Sequence, residues 1–155
     1  MQILSQYMYS VIISKIRHFT NLNSQILIYY ALVYPYLTYG NLIWGNTYPT
    51  RIQKFMNIQK KITRLMTFKS YLDHTDPLFI TLKLLNIFQI NNYLTSLFMY
   101  RYNCLKDLPG IFSNYFVTND KIHHHNTRNS KKIHKIYLRT NYIKHMLCSK
   151  GIDME

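Results

Sequence analysis

The chain has 155 residues, 48% apolar and 15% aromatic, with 19 Lys and Arg against 6 Asp and Glu, a formal net charge of +13. That length holds one domain, or one domain with a tail, and the apolar content excludes disorder for most of it. The charge points to a polyanionic partner, nucleic acid before an anionic membrane surface, because such an excess repels itself when nothing screens it.

Cys104 and Cys148 are far apart, with no close-spaced pair, so neither a disulfide framework nor a zinc ribbon is expected. The N-terminus lacks the basic start and small-residue cleavage site of a signal peptide, and an intracellular protein is expected. Four glycines and four prolines interrupt the chain, which favours long helices. The expected fold is all-α: a small helical bundle with a short, partly irregular basic C-terminal tail.

Over Gln2–Phe19 the apolar residues Ile3, Tyr7, Val11, Ile12, Ile16 and Phe19 recur near the helical period and predict an amphipathic helix. Asn21 or Asn23 can cap the next helix by accepting from its free N–H groups. Ile26–Val33 is apolar almost all round, as in a central helix. It belongs to Leu27–Asn46, inside a run from Thr20 to Thr50 without one formal charge. One reading inserts residues 26–44 in a membrane, since roughly 20 apolar residues span a bilayer. Against it, Pro35, Thr38, Gly40, Asn41, Gly45 and Asn46 break the run, and the tyrosines are spread along it rather than gathered at its ends. The other reading is a buried helix kinked or ended near Pro35, followed by an aromatic-rich packed segment.

Thr50 is a fair N-cap for a helix to about Phe68. At about 100° per residue, Ile52, Phe55, Met56, Ile58, Ile62, Leu65 and Met66 share one face, and Gln53, Lys54, Asn57, Lys60, Lys61 and Arg64 the other. The polar arc holds no acid and no i,i+4 salt bridge, so Lys60, Lys61 and Arg64 are candidate phosphate contacts. Gln59 falls on the apolar side, where its amide needs a partner; a structural hydrogen bond to backbone is expected.

Asp73-His74-Thr75-Asp76-Pro77 reads as a turn into a helix, capped by Asp76 or Thr75 with Pro77 at its first position. One loop supplies too few ligands for a metal. Leu78–Leu85 would be a short helix. Asn86-Ile87-Phe88-Gln89 resembles a capping box opening a helix to about Cys104, with Ile87, Ile90, Leu94, Leu97 and Phe98 on one face, extended by Tyr93. Leu108-Pro109-Gly110 stops it, and Ile111–Phe116 is a short aromatic piece that docks on the bundle.

From Thr118 the composition turns polar and basic. The adjacent His123, His124 and His125 cannot all face one ion from a regular helix or strand, so no metal or other cofactor is expected. Ser130–Lys144 mixes basic residues with Ile133, Ile136, Tyr137, Leu138, Tyr142 and Ile143, which suits a segment ordered against nucleic acid or protein, or a solvated tail. Arg128, Lys131, Lys132 and Arg139 are its candidate contacts. The expected divisions are 1–69, 70–117 and a tail at 118–155.

Pro35-Tyr36-Leu37-Thr38-Tyr39-Gly40, Trp44-Gly45-Asn46 and Ile58-Gln59-Lys60-Lys61-Ile62-Thr63-Arg64 form an ordered series with downstream motifs. These are Leu72–Phe79, Leu82–Leu85, Phe98–Tyr102, Leu108-Pro109, Asn114–Phe116 and His125–Arg128. The series resembles reverse transcriptases of jockey-like non-LTR retrotransposons. The resemblance implies that Ile13–Phe68 is the thumb, which holds a template–primer duplex, and that a helical region follows. Its partners would be an RNA or RNA–DNA duplex and a palm domain lying upstream. Polymerase chemistry by two metal ions needs clustered carboxylates, which that family draws from its palm. Here the acids are Asp73, Asp76, Asp107, Asp120, Asp153 and Glu155, none adjacent. The chain is therefore expected not to be an enzyme on its own. Ile143–Glu155 departs from the Gly- and Trp-containing ending of the family. The rival expectations are the membrane-associated protein above and a helical module whose aromatic face docks on another protein.

Overall fold

Residues 10–112, 114–122, 128–135 and 147–152 are described by a computed structural model of the chain. Among them the regular backbone is helical, apart from an isolated antiparallel bridge between Thr118 and Ile133. The fold is all-α. It forms two compact units, 1–91 and 92–155, and the division falls inside a helix.

In the first unit, helix α1 occupies residues 10–16 and buries Ile13. Asn21 caps α2 (Leu22–Ile28), its side-chain oxygen accepting from the Ser24 N–H at 2.8 Å. Gln25 reaches back from α2, donating to the carbonyls of Arg17 and Thr20, both at 3.2 Å. The backbone then passes through a π-turn, Tyr29–Val33, into α3 (Tyr34–Thr38). That wide turn answers Pro35, which has no N–H to donate and whose ring crowds the carbonyl four residues back in an α-helix. The helical path therefore continues past Pro35 where a stop was one expectation.

Gln25, Tyr29, Val33 and Leu37 are buried at steps of four. Such a step overshoots an α-helical turn by about 40°, and the wider turn takes back part of the drift. Burial is one-sided: Leu27 is 71% exposed and Tyr30 42%, so Ile26–Val33 is not enclosed all round as its composition predicted. A corner follows. Gly40 adopts φ +62°, a left-handed conformation that glycine takes without steric cost, and α4 (Asn41–Trp44) leaves it. Among the described residues no helix is long and apolar enough to cross a membrane, and this corner divides the uncharged run.

Helix α5 (Pro49–Met66) begins one residue before the expected Thr50 cap, because Pro49 is pre-set for a first helical position. Ile52, Met56, Ile58, Ile62 and Met66 are buried as the periodicity predicted. Helix α6 (Asp76–Thr81) follows Thr75 at the cap position, and α2 and α6 both pack on α5. The expected helix over 78–85 thus starts earlier and ends at Thr81. Its stop is a Schellman turn: Lys83 N–H donates to Ile80 O at 3.1 Å and Leu84 N–H to Phe79 O at 2.9 Å, with Lys83 at φ 54°.

Phe68 (φ 55°) ends α5 in the same way, with Lys69 N–H on Arg64 O, and Lys106 (φ 52°) closes a later helical segment with its own N–H on Arg101 O, a π-type bond. Three side-chain-bearing residues therefore stand where glycine is usual. The left-handed conformation costs an L-residue about 1–2 kcal/mol, part of which glycine's greater unfolded-state freedom offsets. Lys83→Gly is expected to raise stability by about 0.5–1 kcal/mol, read as a higher urea midpoint. A lower midpoint would show that the Lys83 side chain contributes more than its backbone strain costs.

Helix α7 (Ile87–Tyr100) opens with the predicted capping box. Gln89 N–H donates to Asn86 Oδ1 at 2.9 Å, and Asn86 N–H to Gln89 Oε1 at 3.0 Å. Ile87, Ile90 and Phe98 are buried, but Tyr93 and Leu97 are open, and Asn91, Thr95 and Met99 are enclosed instead. The helix runs into a π-turn, Arg101–Leu105.

In the second unit, the ring of Phe98 meets Phe112 edge-on at 5.5 Å, and Tyr102 meets Phe116 at 4.8 Å. Phe112 ends a short 3-10 turn, Gly110–Phe112, and this is the aromatic piece predicted over 111–116. Beyond it, Asn119 N–H donates to Lys132 O, Asp120 N–H to Ser130 O and His134 N–H to Val117 O. These bonds tie α8 (Asn119–Ile122) to residues 128–134, and Ile133 is buried. The start of the expected tail is thus tied to residues 128–134 by backbone hydrogen bonds. Helix α9 is Leu147–Ile152. His123–His125, Arg139 and Tyr142 lie outside the described residues.

Candidate nucleic-acid interface

The basic helix α5 is fixed by polar groups on its buried side. Gln59, 1% exposed, donates from Nε2 to the Tyr29 phenol at 2.7 Å and to Leu85 O at 2.8 Å, and its Oε1 accepts from Ile87 N–H at 3.0 Å. One amide therefore joins the π-turn, α5 and the start of α7, and the expected backbone partner is present twice. Burial pushes the Tyr29 phenol well above its ordinary range, against the hydrogen bond from Gln59, which favours the ionised form.

A second buried node holds the corner. Asn41 donates to Leu37 O at 2.8 Å, and Asn91 Nδ2 donates to Asn41 Oδ1 at 2.9 Å. Gly45 lies so close that a Cβ there would fall 2.4 Å from Asn91 Nδ2 and 2.5 Å from Asn41 O. Trp44 donates from its indole to Tyr39 O at 2.7 Å and stacks on Phe55 with centroids 4.9 Å apart. Gly40, Trp44 and Gly45 thus form the corner against which α5 rests.

The open side of α5 carries Arg51, Lys54, Asn57 and Lys61. Lys54 and Lys61, seven residues apart, point the same way and lie about 10.5 Å apart along the axis. Asn57 lies between them and accepts from the Gln53 amide at 3.1 Å. Lys60 is half-buried at the margin of this face. Arg64 is engaged elsewhere: its Nε donates to Asp73 O at 3.0 Å, and its guanidinium sits 5.5 Å from the Tyr71 ring centre. Of the three residues predicted on this helix, Lys61 faces outward, Lys60 flanks it, and Arg64 also secures the loop before α6. Lys54, outside the predicted set, shares the face of Lys61. Arg17 supports the far end, its guanidinium 4.9 Å from the Phe68 ring centre and its Nη1 3.5 Å from Leu65 O, where a cation favours the helix C-terminus.

No family model, no curated protein and no solved structure matches this chain. Arg128, Lys131 and Lys132 are exposed on the turn joined to α8 in the second unit, and Arg139 lies outside the described residues.

The four described carboxylates are dispersed. Asp73 accepts from Ser70 N–H at 2.8 Å, Asp107 pairs with Arg101 at 3.1 Å, Asp120 bonds Thr118, and Asp76 sits in the first turn of α6. Among the described residues no three His, Cys, Asp or Glu side chains come together as a metal site.

Proposed function

We propose that this chain is the thumb-like part of an RNA-directed DNA polymerase of the non-LTR retrotransposon kind, and that it binds an RNA or RNA–DNA duplex inside the cell without regard to sequence. The observation that carries the reading is the outward stripe of α5, where Arg51, Lys54 and Lys61 face solvent with no acid anywhere in the helix. Ammonium and guanidinium groups along a rigid helix neutralise phosphates and release their counterions, a contribution blind to base identity. Lys60 and Arg64 flank the stripe, and Arg128, Lys131, Lys132 and Arg139 add electrostatic affinity from the basic C-terminal region. Nucleotide addition would come from a palm domain, because its metal ions need clustered carboxylates. The same reading offers the palm the exposed apolar side chains of this region, Leu27, Tyr39 and Ile43, which are 71%, 77% and 86% exposed.

The test is binding of a labelled RNA–DNA duplex across a salt series. Each lost phosphate contact is expected to reduce the slope of log K against log salt by roughly 0.7–0.9. Lys54→Ala/Lys61→Ala should therefore flatten the slope by roughly 1.4–1.8 and weaken binding to all sequences alike. An unchanged slope in a folded variant would remove α5 from the interface.

A further inference from the structure

The second unit holds a cavity of about 520 Å³, lined by Tyr102, Asn103, Lys106, Leu108, Phe112 and Lys131, with Thr118 at its edge. Its size lies within the ordinary range for small-molecule sites. Tyr102, Leu108 and Phe112 are half-buried and make an apolar wall, whereas Asn103, Lys106 and Lys131 are exposed and make a polar rim.

Two lysines from segments far apart in the chain share this one cavity, and among the described residues no carboxylate lines it. The nearest acids in sequence are taken: Arg101 Nε donates to both oxygens of Asp107, at 3.1 and 3.2 Å, and Asp120 accepts from Thr118. Ammonium groups facing one space repel each other until an anion enters. An anion alone would leave the ring wall unused, and an apolar molecule alone would leave the ammonium groups unused. A ligand carrying both a phosphate and a flat base uses both the ammonium groups and the ring wall. We infer that this cavity binds a single nucleotide, with its phosphate between Lys106 and Lys131 and its base against Tyr102 and Phe112. The site uses no residue of α5 and stands apart from the duplex-binding reading.

The test is titration of the full chain, followed by amide NMR, with AMP, adenosine, inorganic phosphate and a 5′-phosphorylated oligoadenylate. AMP is expected to bind at least tenfold more tightly than adenosine or phosphate, with shifts at Asn103 and Lys106. A tighter oligoadenylate would assign the site to a strand end, and a tighter AMP to the free nucleotide; both support a nucleotide site. Lys106→Gly is the informative variant, because it removes the ammonium with its side chain while glycine suits the left-handed backbone at that position. It should weaken AMP at least fivefold with no loss of thermal stability, and Lys131→Ala should do the same. Equal affinity for phosphate and AMP, no AMP binding at millimolar concentration, or AMP binding intact in Lys106→Gly would each overturn the inference. So would loss of AMP binding in Lys54→Ala/Lys61→Ala, which would move the nucleotide to α5.

Discussion

Gln59→Leu should lower folding stability by about 3–5 kcal/mol. The substitution nearly preserves volume but removes an amide that serves three partners. The Tyr29 phenol, the Ile87 N–H and the Leu85 carbonyl would each lose a hydrogen bond. The phenol belongs to a residue 1% exposed and the N–H to one 0% exposed, so water cannot replace the lost partner. Each such unsatisfied group costs about 1–3 kcal/mol. Urea denaturation should show a lower midpoint with an unchanged slope, the sign of lost stability rather than a changed unfolded state. A loss under about 1 kcal/mol would mean that these groups find other partners.

Gly45→Ala is the second large effect expected, about 3–5 kcal/mol, from overpacking together with disruption of a buried hydrogen bond. The new methyl would fall 2.4–2.5 Å from Asn91 Nδ2 and from the carbonyl and side-chain oxygens of Asn41. One of those neighbours is backbone held by the Gly45 N–H itself at 2.7 Å, so the strain cannot be relieved by a rotamer change alone. Adding Asn91→Ala removes one clashing atom, and the double variant should lose less than the sum of the two single variants. Such non-additivity is the mark of residues in contact. Strict additivity would show that Asn41, not Asn91, takes the strain.

These two nodes also show how far the sequence could be read. Gln59 was legible because a polar residue on an apolar helical face announces a partner, and the capping box at Asn86–Gln89 was legible because both of its bonds are local. The burial pattern of α5 followed from periodicity. What lay beyond reach depends on residues distant in sequence or on backbone states that composition disguises. Asn41 and Asn91 are fifty positions apart, and nothing local in either says that they meet. Phe68, Lys83 and Lys106 end helical segments without the glycine that normally signals a stop, so composition alone carries α6 past its end at Thr81. The π-turn before Pro35 reverses the usual meaning of a proline. At the candidate interface, charge counting found the helix and its outward Lys61, but not that Arg64 is spent partly on Asp73 O. It gave no hint that Lys106 and Lys131 border a cavity.

The chain has one tryptophan, and its place at the corner gives it a use of a different kind. Trp44 is stacked on Phe55 and bonded to Tyr39 O, so its emission reports whether α4, α5 and the end of α3 remain assembled. Residues 92–155 contain no tryptophan. Indole fluorescence therefore watches the unit that carries the α5 stripe, while far-ultraviolet dichroism sums the helices of both units. A melting curve recorded by one probe and a curve recorded by the other are measurements on different parts of the same molecule, and any loss of duplex or nucleotide binding can be placed against the part whose signal changes with it.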